Sequence, residues 1–283
     1  MEKKLTVAIP ASTISDTPHL REKTAKVGLI GRAAAIFRVD EITVYPDNPK
    51  TDQARDIDFI ALLLGYLETP QYLRKRLFKI EPRLQYAGIL PPLRTPHHPV
   101  SRKTRDLKAG MYREGLVLSE AKDGLLVDIG VEQPAILRET QYSVGERLTI
   151  QVVNADERVE VQAADREEIE TYWGFKVHAS DKPFAQFVAA GEFDLTIATA
   201  RLGINFSNIA EKILARWNLS HRILLAFGAP SRGLHEIAKE EGTKLESIVD
   251  FVINTIPKQG TATVRTEEAL LASLAIFNEQ FNY

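Results

Sequence analysis

The sequence predicts an α/β protein in which a parallel-sheet domain is interrupted by a small all-β barrel. Three observations carry this. Strand-like and helix-like stretches alternate at both ends of the chain, the order that builds parallel sheets. Between residues 113 and 163 no helical period appears, and short β-favouring runs alternate with turn residues instead. A stretch at 91–110 carries Pro91, Pro92, Pro96 and Pro99 with Arg102, Lys103, Arg105 and Lys108, the composition of an extended basic linker. The expected division is therefore 1–92 with 166–283 for a discontinuous α/β domain, and 93–165 for the insertion.

Taken in order, residues 4–9 read as a buried strand, and the polar segment 12–18 prepares a helix over 20–37. A second strand follows at 41–45. Phe59, Leu62, Leu63, Tyr66 and Leu67 fall at helical spacing within 56–78, with Pro70 opening a new helix. Five short strands are expected at 113–118, 124–129, 134–137, 147–153 and 158–163. Turns fall near Gly124 and Gly145 and at 154–157. Five strands in so short a stretch suit a Greek-key barrel of the OB type, although an insertion that only packs has the same pattern. After residue 165 the alternation resumes, with strands at 195–198, 222–227 and 251–255 and helices at 206–215, 234–241 and 267–277.

The 283 residues are 44% hydrophobic, enough for one large core or two modest ones, and include no cysteine. Disulfides, thiolate metal sites and cysteine nucleophiles are thereby excluded. No apolar run reaches the length of a membrane span and the N-terminus lacks a signal-peptide core, so a cytoplasmic protein without membrane contact is expected. A net charge of −2 argues against a polycation that coats nucleic acid, leaving local basic clusters as the means of binding RNA.

The chemistry points to two loops. Phe227, Gly228, Ala229 and Pro230 follow one strand, and Ile256 through Gly260 follow the next, the position at which open parallel sheets bind ligands. Glycine allows close approach of the backbone and proline stiffens it, so such loops can present N–H and C=O groups to an adenine. Either loop alone also fits an ordinary strand–helix turn. The sequence has neither a P-loop nor a dinucleotide fingerprint after a strand. Gly28 and Gly31 match the bare GxxG of a KH loop, yet lie in a helical stretch.

Several segments together resemble one family: GRAAAIFRVDEI (31–42), LETPQYLRK (67–75), LQYAGIL (84–90), TPHH (95–98), YWGF (172–175) and NTIPKQGTATVRTEEA (254–269). They are similar to the archaeal and eukaryotic branch of SPOUT-class methyltransferases that carries an OB-fold insertion. The resemblance implies an S-adenosylmethionine-dependent enzyme acting on rRNA or tRNA, a deep trefoil knot at the C-terminus, and a homodimer with the cofactor bent between knotted loops. Periodicity implies no knot, and knots are rare. Carried over by position, the loops are 199–203, 227–230 and 254–260. Thr199, Phe227, Gly228, Ala229, Pro230, Asn254, Thr255, Ile256 and Gly260 would hold the cofactor, and Thr266 would close the pocket. Arg32 would hold the substrate nucleotide or its phosphate, although Arg38 stands where the family has glycine and a paired helix arginine reads equally well.

Remaining candidates are softer. Arg74, Lys75 and Arg76, and the linker cations at 102–108, could meet phosphates; Arg38 and Arg265 join Arg32 as RNA contacts. Tyr112 and Tyr142 are candidates for base stacking or for core packing. His97 and His98, adjacent and on opposite faces if extended, suggest no metal site. Glu267 and Glu268 suit a helix N-terminus, with Glu268 and Arg32 the only catalytic candidates. The competing function is a non-catalytic RNA-binding or ribosome-associated protein that uses the barrel, with the knotted domain as a dimer platform.

Overall fold

A computed structural model describes residues 3–156 and 158–281; Glu157, within the turn expected at 154–157, lies outside them. Along the chain, β1 (Lys4–Pro10), α1 (Leu20–Ile36), β2 (Glu41–Tyr45), α2 (Ala54–Glu68) and α3 (Gln71–Leu77) come first. Five strands follow: β3 (Tyr112–Ala121), β4 (Gly124–Asp128), β5 (Ala135–Leu137), β6 (Arg147–Asn154) and β7 (Glu160–Ala163). The chain continues through β8 (Lys176–Ala179), α4 (Phe184–Ala190), β9 (Leu195–Asn205), α5 (Ala210–Leu219), β10 (Arg222–Ala226), α6 (Leu234–Glu240), β11 (Phe251–Asn254) and α7 (Thr266–Phe281). Two compact units result, Met1–Leu67 with Arg83–Pro92 and Phe175–Tyr283, and Glu68–Pro82 with Leu93–Gly174.

The first unit is built on a six-stranded sheet in the order β11-β9-β10-β1-β2-β8, with every pair parallel. Strands such as Val7–Ile9 and Ile42–Val44 are buried on both sides, as a parallel sheet covered by helices requires. One face packs Ala8, Tyr45 and Leu224 against Phe184, Val188 and Ile237 of α4 and α6, and α1 and α7 pack against each other. Gly28 and Gly31 serve packing within α1: a Cβ at Gly31 would stand 2.5 Å from Leu67 and one at Gly28 2.8 Å from Pro91. The helix ends at Phe37, and Arg38 takes a φ of 51°, a left-handed position where glycine costs least.

Sequence periodicity anticipates most of these elements but misplaces several. Strand β9 runs on to Asn205 and α5 begins at Ala210 rather than at 206. Residues 199–203, expected as a loop, lie within that strand as an excursion, because β11 pairs Val252 with Ala198 and then Ile253 with Ile204. Short β8 and α4 have too few residues for a period and were not anticipated.

In the second unit, β3-β4-β5-β7-β6 close into a five-stranded barrel. Val117, Leu125, Val127, Ile150 and Val161 fill it, as inward-facing positions of a small barrel must. The strands match the five expected ones to within a few residues at each end. Residues 68–82 cluster with this barrel rather than with the sheet; Tyr72 of α3 donates from its hydroxyl to the Glu114 carbonyl at 2.7 Å, and a Cβ at Gly130 would overlap its ring.

The same unit buries a charged network. The Arg147 guanidinium contacts Glu68 Oε2 at 2.8 Å and Glu114 Oε2 at 2.6 Å, while Thr149 and Trp173 donate to Glu114 Oε1 at 2.9 and 2.7 Å. Burial alone would raise the Glu68 carboxyl, but the hydrogen bond from His97 and the charge of Arg147 hold it down to about 2. The histidine pair is not extended as expected: it lies in a turn, and the Nε2 atoms of His97 and His98 meet the same Glu68 carbonyl at 3.0 and 2.6 Å. Tyr112 packs edge-on to Trp173, and Tyr142 lies against the barrel core.

Candidate active site

A cavity of about 360 Å³ opens beside the excursion of β9 and the C-terminal ends of β10 and β11. Its walls come from the excursion at 199–202, from residues 227–236 after β10 and from residues 254–266 after β11. That volume lies within the range of about 300–1,000 Å³ usual for sites that hold organic ligands.

Each wall is held by a specific polar contact. Thr199 donates from Oγ1 to the Ala226 carbonyl at 3.1 Å. The Asn254 amide donates to the Arg201 carbonyl at 2.9 Å while its Oδ1 accepts from the Ile256 N–H at 2.9 Å. Asn254 therefore clamps the first wall to the third and turns its own loop. Thr255 pairs its hydroxyl with Ser273 of α7 at 2.8 Å, and Thr266, the first residue of α7, donates to the Gly228 carbonyl at 2.9 Å. The sheet brings these four residues together although they are spread over some seventy positions of sequence.

The middle loop is the tightest. Phe227 is anchored from behind by the buried Tyr45 hydroxyl, 2.6 Å from its carbonyl. Ala229 N–H closes a turn on the Arg232 carbonyl at 2.9 Å. A Cβ at Gly228 would come within 2.9 Å of Leu234 N and 3.0 Å of Gly233 Cα, so glycine is required by close backbone approach. Arg232 reaches the buried Asp47 at 3.0 Å and Glu240 at 2.7 Å. Asp47 also accepts from the Ser12 N–H and from the Gln53 amide, both at 3.0 Å. One carboxylate thus ties together the segments after β1, β2 and β10, a role with no signature in spacing.

Most residues expected to hold a cofactor line this cavity: Thr199, Phe227, Gly228, Ala229, Pro230, Asn254, Thr255, Ile256 and Thr266. Gly260 is in the same loop but outside the lining. Arg201 and Gln259, within the expected loops but not singled out there, also line it, as do His235 and Glu236, which fall outside those loops. Arg201 donates to the Ala262 carbonyl at 3.1 Å, and His235 Nε2 lies 3.0 Å from Glu246 Oε1.

The other candidates stand elsewhere. Arg32 donates to the Pro92 carbonyl at 3.0 Å, and Arg38 is exposed at the end of α1. Glu268 accepts from the Arg265 N–H at 2.9 Å, which is helix capping, and Arg265 reaches Asp16 at 3.7 Å. Nearby Glu267 is raised by burial, with Lys26 3.5 Å away. In the second unit Lys75 is exposed, Arg74 donates to the Thr69 carbonyl and Arg76 pairs with Asp128 at 2.6 Å. Among the described residues no cluster of His, Cys, Asp or Glu could hold a metal ion.

Residues 4–277 match the model of a family described as "Putative RNA methyltransferase". A 28S rRNA (uridine-N(3))-methyltransferase of Mus musculus is 33% identical over 303 residues, covering 96% of this chain and 75% of that protein. The enzyme of the same name from Drosophila melanogaster is 30% identical, over 98% of this chain and 62% of its own length. An uncharacterized protein of Haloarcula marismortui is 34% identical over 95% of this chain and 96% of its own length. With nearly the whole chain inside the matched region, this protein belongs to that family of RNA methyltransferases.

Proposed function

We propose that the chain is an S-adenosylmethionine-dependent methyltransferase that modifies N3 of a uridine in ribosomal RNA. The observation that carries this is the cavity beside the β9 excursion and the ends of β10 and β11, in a chain that aligns over most of its length with uridine-N3 enzymes. The cofactor fits the residues present. Phe227, Ala229, Pro230, Ile256 and Val264 offer apolar surface to a flat ring. When bound, the sulfonium supplies an electrophilic methyl group; the protein's part is to hold the nucleophile in line with it.

Phe227 to Pro230, Asn254 to Ile256 and Thr199 form the cofactor walls in this reading, with Thr266 closing them and Gly260 beside them. The strand order β11-β9-β10, in which the last strand passes its predecessor to reach the sheet edge, supports a SPOUT-type knotted domain. The closed five-stranded barrel supports an OB-like module for single-stranded RNA, with Arg74, Lys75 and Arg76 as phosphate contacts and Arg32, Arg38 and Arg265 serving the sheet domain. A homodimer and a cytoplasmic location complete the proposal. No helix among the described residues is long and apolar enough to cross a membrane.

Calorimetry with S-adenosylhomocysteine, followed by mass spectrometry of nucleosides from rRNA of cells with and without the gene, tests the proposal. Expected are stoichiometric binding and loss of N3-methyluridine. RNA binding without cofactor binding would instead favour a non-catalytic RNA-binding role.

A further inference from the structure

Methylation at N3 of a uridine poses a problem that methylation of an amine lone pair does not: N3 carries a proton at neutral pH. That proton must leave before or as the new bond forms, so the site needs an acceptor. Three side chains lining the cavity are ionisable near the required range or charged: Arg201, His235 and Glu236. Arg201 has no acceptor capacity and is engaged with the Ala262 carbonyl. Of the two remaining side-chain types, carboxylate and imidazole, the imidazole is the one whose chemistry suits proton transfer at neutral pH.

Resting on the methyltransferase reading above, we propose that His235 is the general base for the uridine N3 proton and that Glu246 is its positioning residue. His235 is the second residue of α6 and lines the cavity directly after the Gly228 loop. Its Nε2 faces Glu246 Oε1 at 3.0 Å. A carboxylate is acceptor-only, so Nε2 holds the hydrogen and Nδ1 keeps the lone pair, the arrangement by which a buttressed imidazole serves as a base. In the step, the N3–H bond breaks and its proton goes to Nδ1. The electron pair of N3 forms the bond to the methyl carbon, and the methyl–sulfur bond breaks with its pair returning to sulfur. The imidazolium then returns its proton to solvent, to which the side chain is one-third open (33% exposed). Glu246 stabilises the imidazolium while it lasts. Its own carboxyl sits below the ordinary range, held by its backbone N–H and by His235. The charged groups around the imidazole are Glu246 and Lys244 from the following turn, with Glu236 and Arg201 on the cavity wall.

The test uses the full chain and an in vitro transcript of large-subunit rRNA, made with uridine or with 5-fluorouridine, whose fluorine makes N3 more acidic. His235→Ala should lower the single-turnover rate on uridine RNA by about 10²–10⁴-fold, with S-adenosylhomocysteine and RNA affinities within about twofold of wild type. The fluorinated transcript should recover at least tenfold of that loss, because the missing base matters less when the proton leaves easily. Glu246→Gln should cost less, about tenfold, and should shift the imidazole tautomer seen by ¹⁵N NMR of the protein alone. If wild type forms N3-methyluridine but His235→Ala keeps more than a tenth of its rate, or its loss is not relieved by 5-fluorouridine, the assignment is wrong. If wild type binds the cofactor but forms no N3-methyluridine, the functional reading itself fails at its substrate, and this inference with it.

Discussion

Polar groups are used in opposite ways in the two units. Around the cavity of the first, single hydrogen bonds from Thr199, Asn254 and Thr266 tie the walls to their neighbours and leave space between them. In the second, the Glu68 and Glu114 carboxylates are buried, sharing the Arg147 cation and accepting hydrogen bonds or close contacts from Thr149, Trp173 and His97. The first arrangement trades few bonds for an open concavity. The second fills its space, and a buried ion pair of that kind contributes specificity more readily than stability. Breaking it, however, leaves an uncompensated charge.

The sharpest way to separate the two is therefore to break the charged network. Arg147→Ala should leave the Glu68 and Glu114 carboxylates without the cation they share and destabilise the barrel unit by about 3–5 kcal/mol, while cofactor affinity in the first unit is retained. The chain has one tryptophan in each unit, Trp173 and Trp217, so Trp217→Phe leaves a fluorescence reporter for the barrel alone. A thermal midpoint at Trp173 unchanged by Arg147→Ala would refute the role of the network.

Acid should find the same weak point. Glu68 lies at about 2 against an ordinary 4.5, so its contribution is complete above the unfolded value and is lost as pH falls towards 2. Burial and the adjacent His97 hold His98 at about 4 rather than 6.5; the fold prefers it neutral, and that preference too is lost on acidification. Denaturation of Trp217→Phe followed at Trp173 should therefore set in between about pH 6.5 and 2 and shift to lower midpoint denaturant across that window. Constant stability there would contradict both assignments.

In the cavity, Gly228→Ala forces a Cβ against the backbone of residues 232–234, and should cost about 1–3 kcal/mol with at least a tenfold loss of S-adenosylhomocysteine affinity. Asn254→Ala removes one hydrogen bond between walls and one within its own loop; about 1–2 kcal/mol of stability and a several-fold weaker cofactor affinity are expected. Calorimetry on either variant measures both. An affinity equal to wild type would show that the walls are not held by these groups. The smallest effect lies outside both regions: Arg38→Gly should stabilise the first unit by about 0.5–1 kcal/mol, since the arginine occupies a left-handed φ, and a fall in melting temperature would contradict it.

How much was legible beforehand differs between the regions in the same way. The Gly228 and Asn254 loops could be read because close backbone approach at a strand end demands glycine and stiff turns favour proline, and both constraints are local. The excursion at 199–203 was placed by family resemblance alone; as sequence it continues a strand, and only the pairing of Ile253 with Ile204 makes it bulge. The network of the barrel unit left no mark. Glu68, Glu114 and Arg147 stand far apart in sequence on a helix and two strands, with no spacing that links them to one another or to His97, until folding brings them to one place. His235 was passed over for the same reason, since its partner Glu246 is eleven residues away across a turn.

By itself, then, the sequence determined the alternation of strand and helix, the five-strand rhythm of the barrel and the two glycine-bearing loops, because period, propensity and turn chemistry act over a few residues. The tertiary structure alone decided that Asp47 would join three loops, that residues 68–82 would pack with the barrel and that Thr266 would meet Gly228. Those contacts join positions 35 to 185 residues apart, and no local preference of the chain encodes which distant partners a side chain will find.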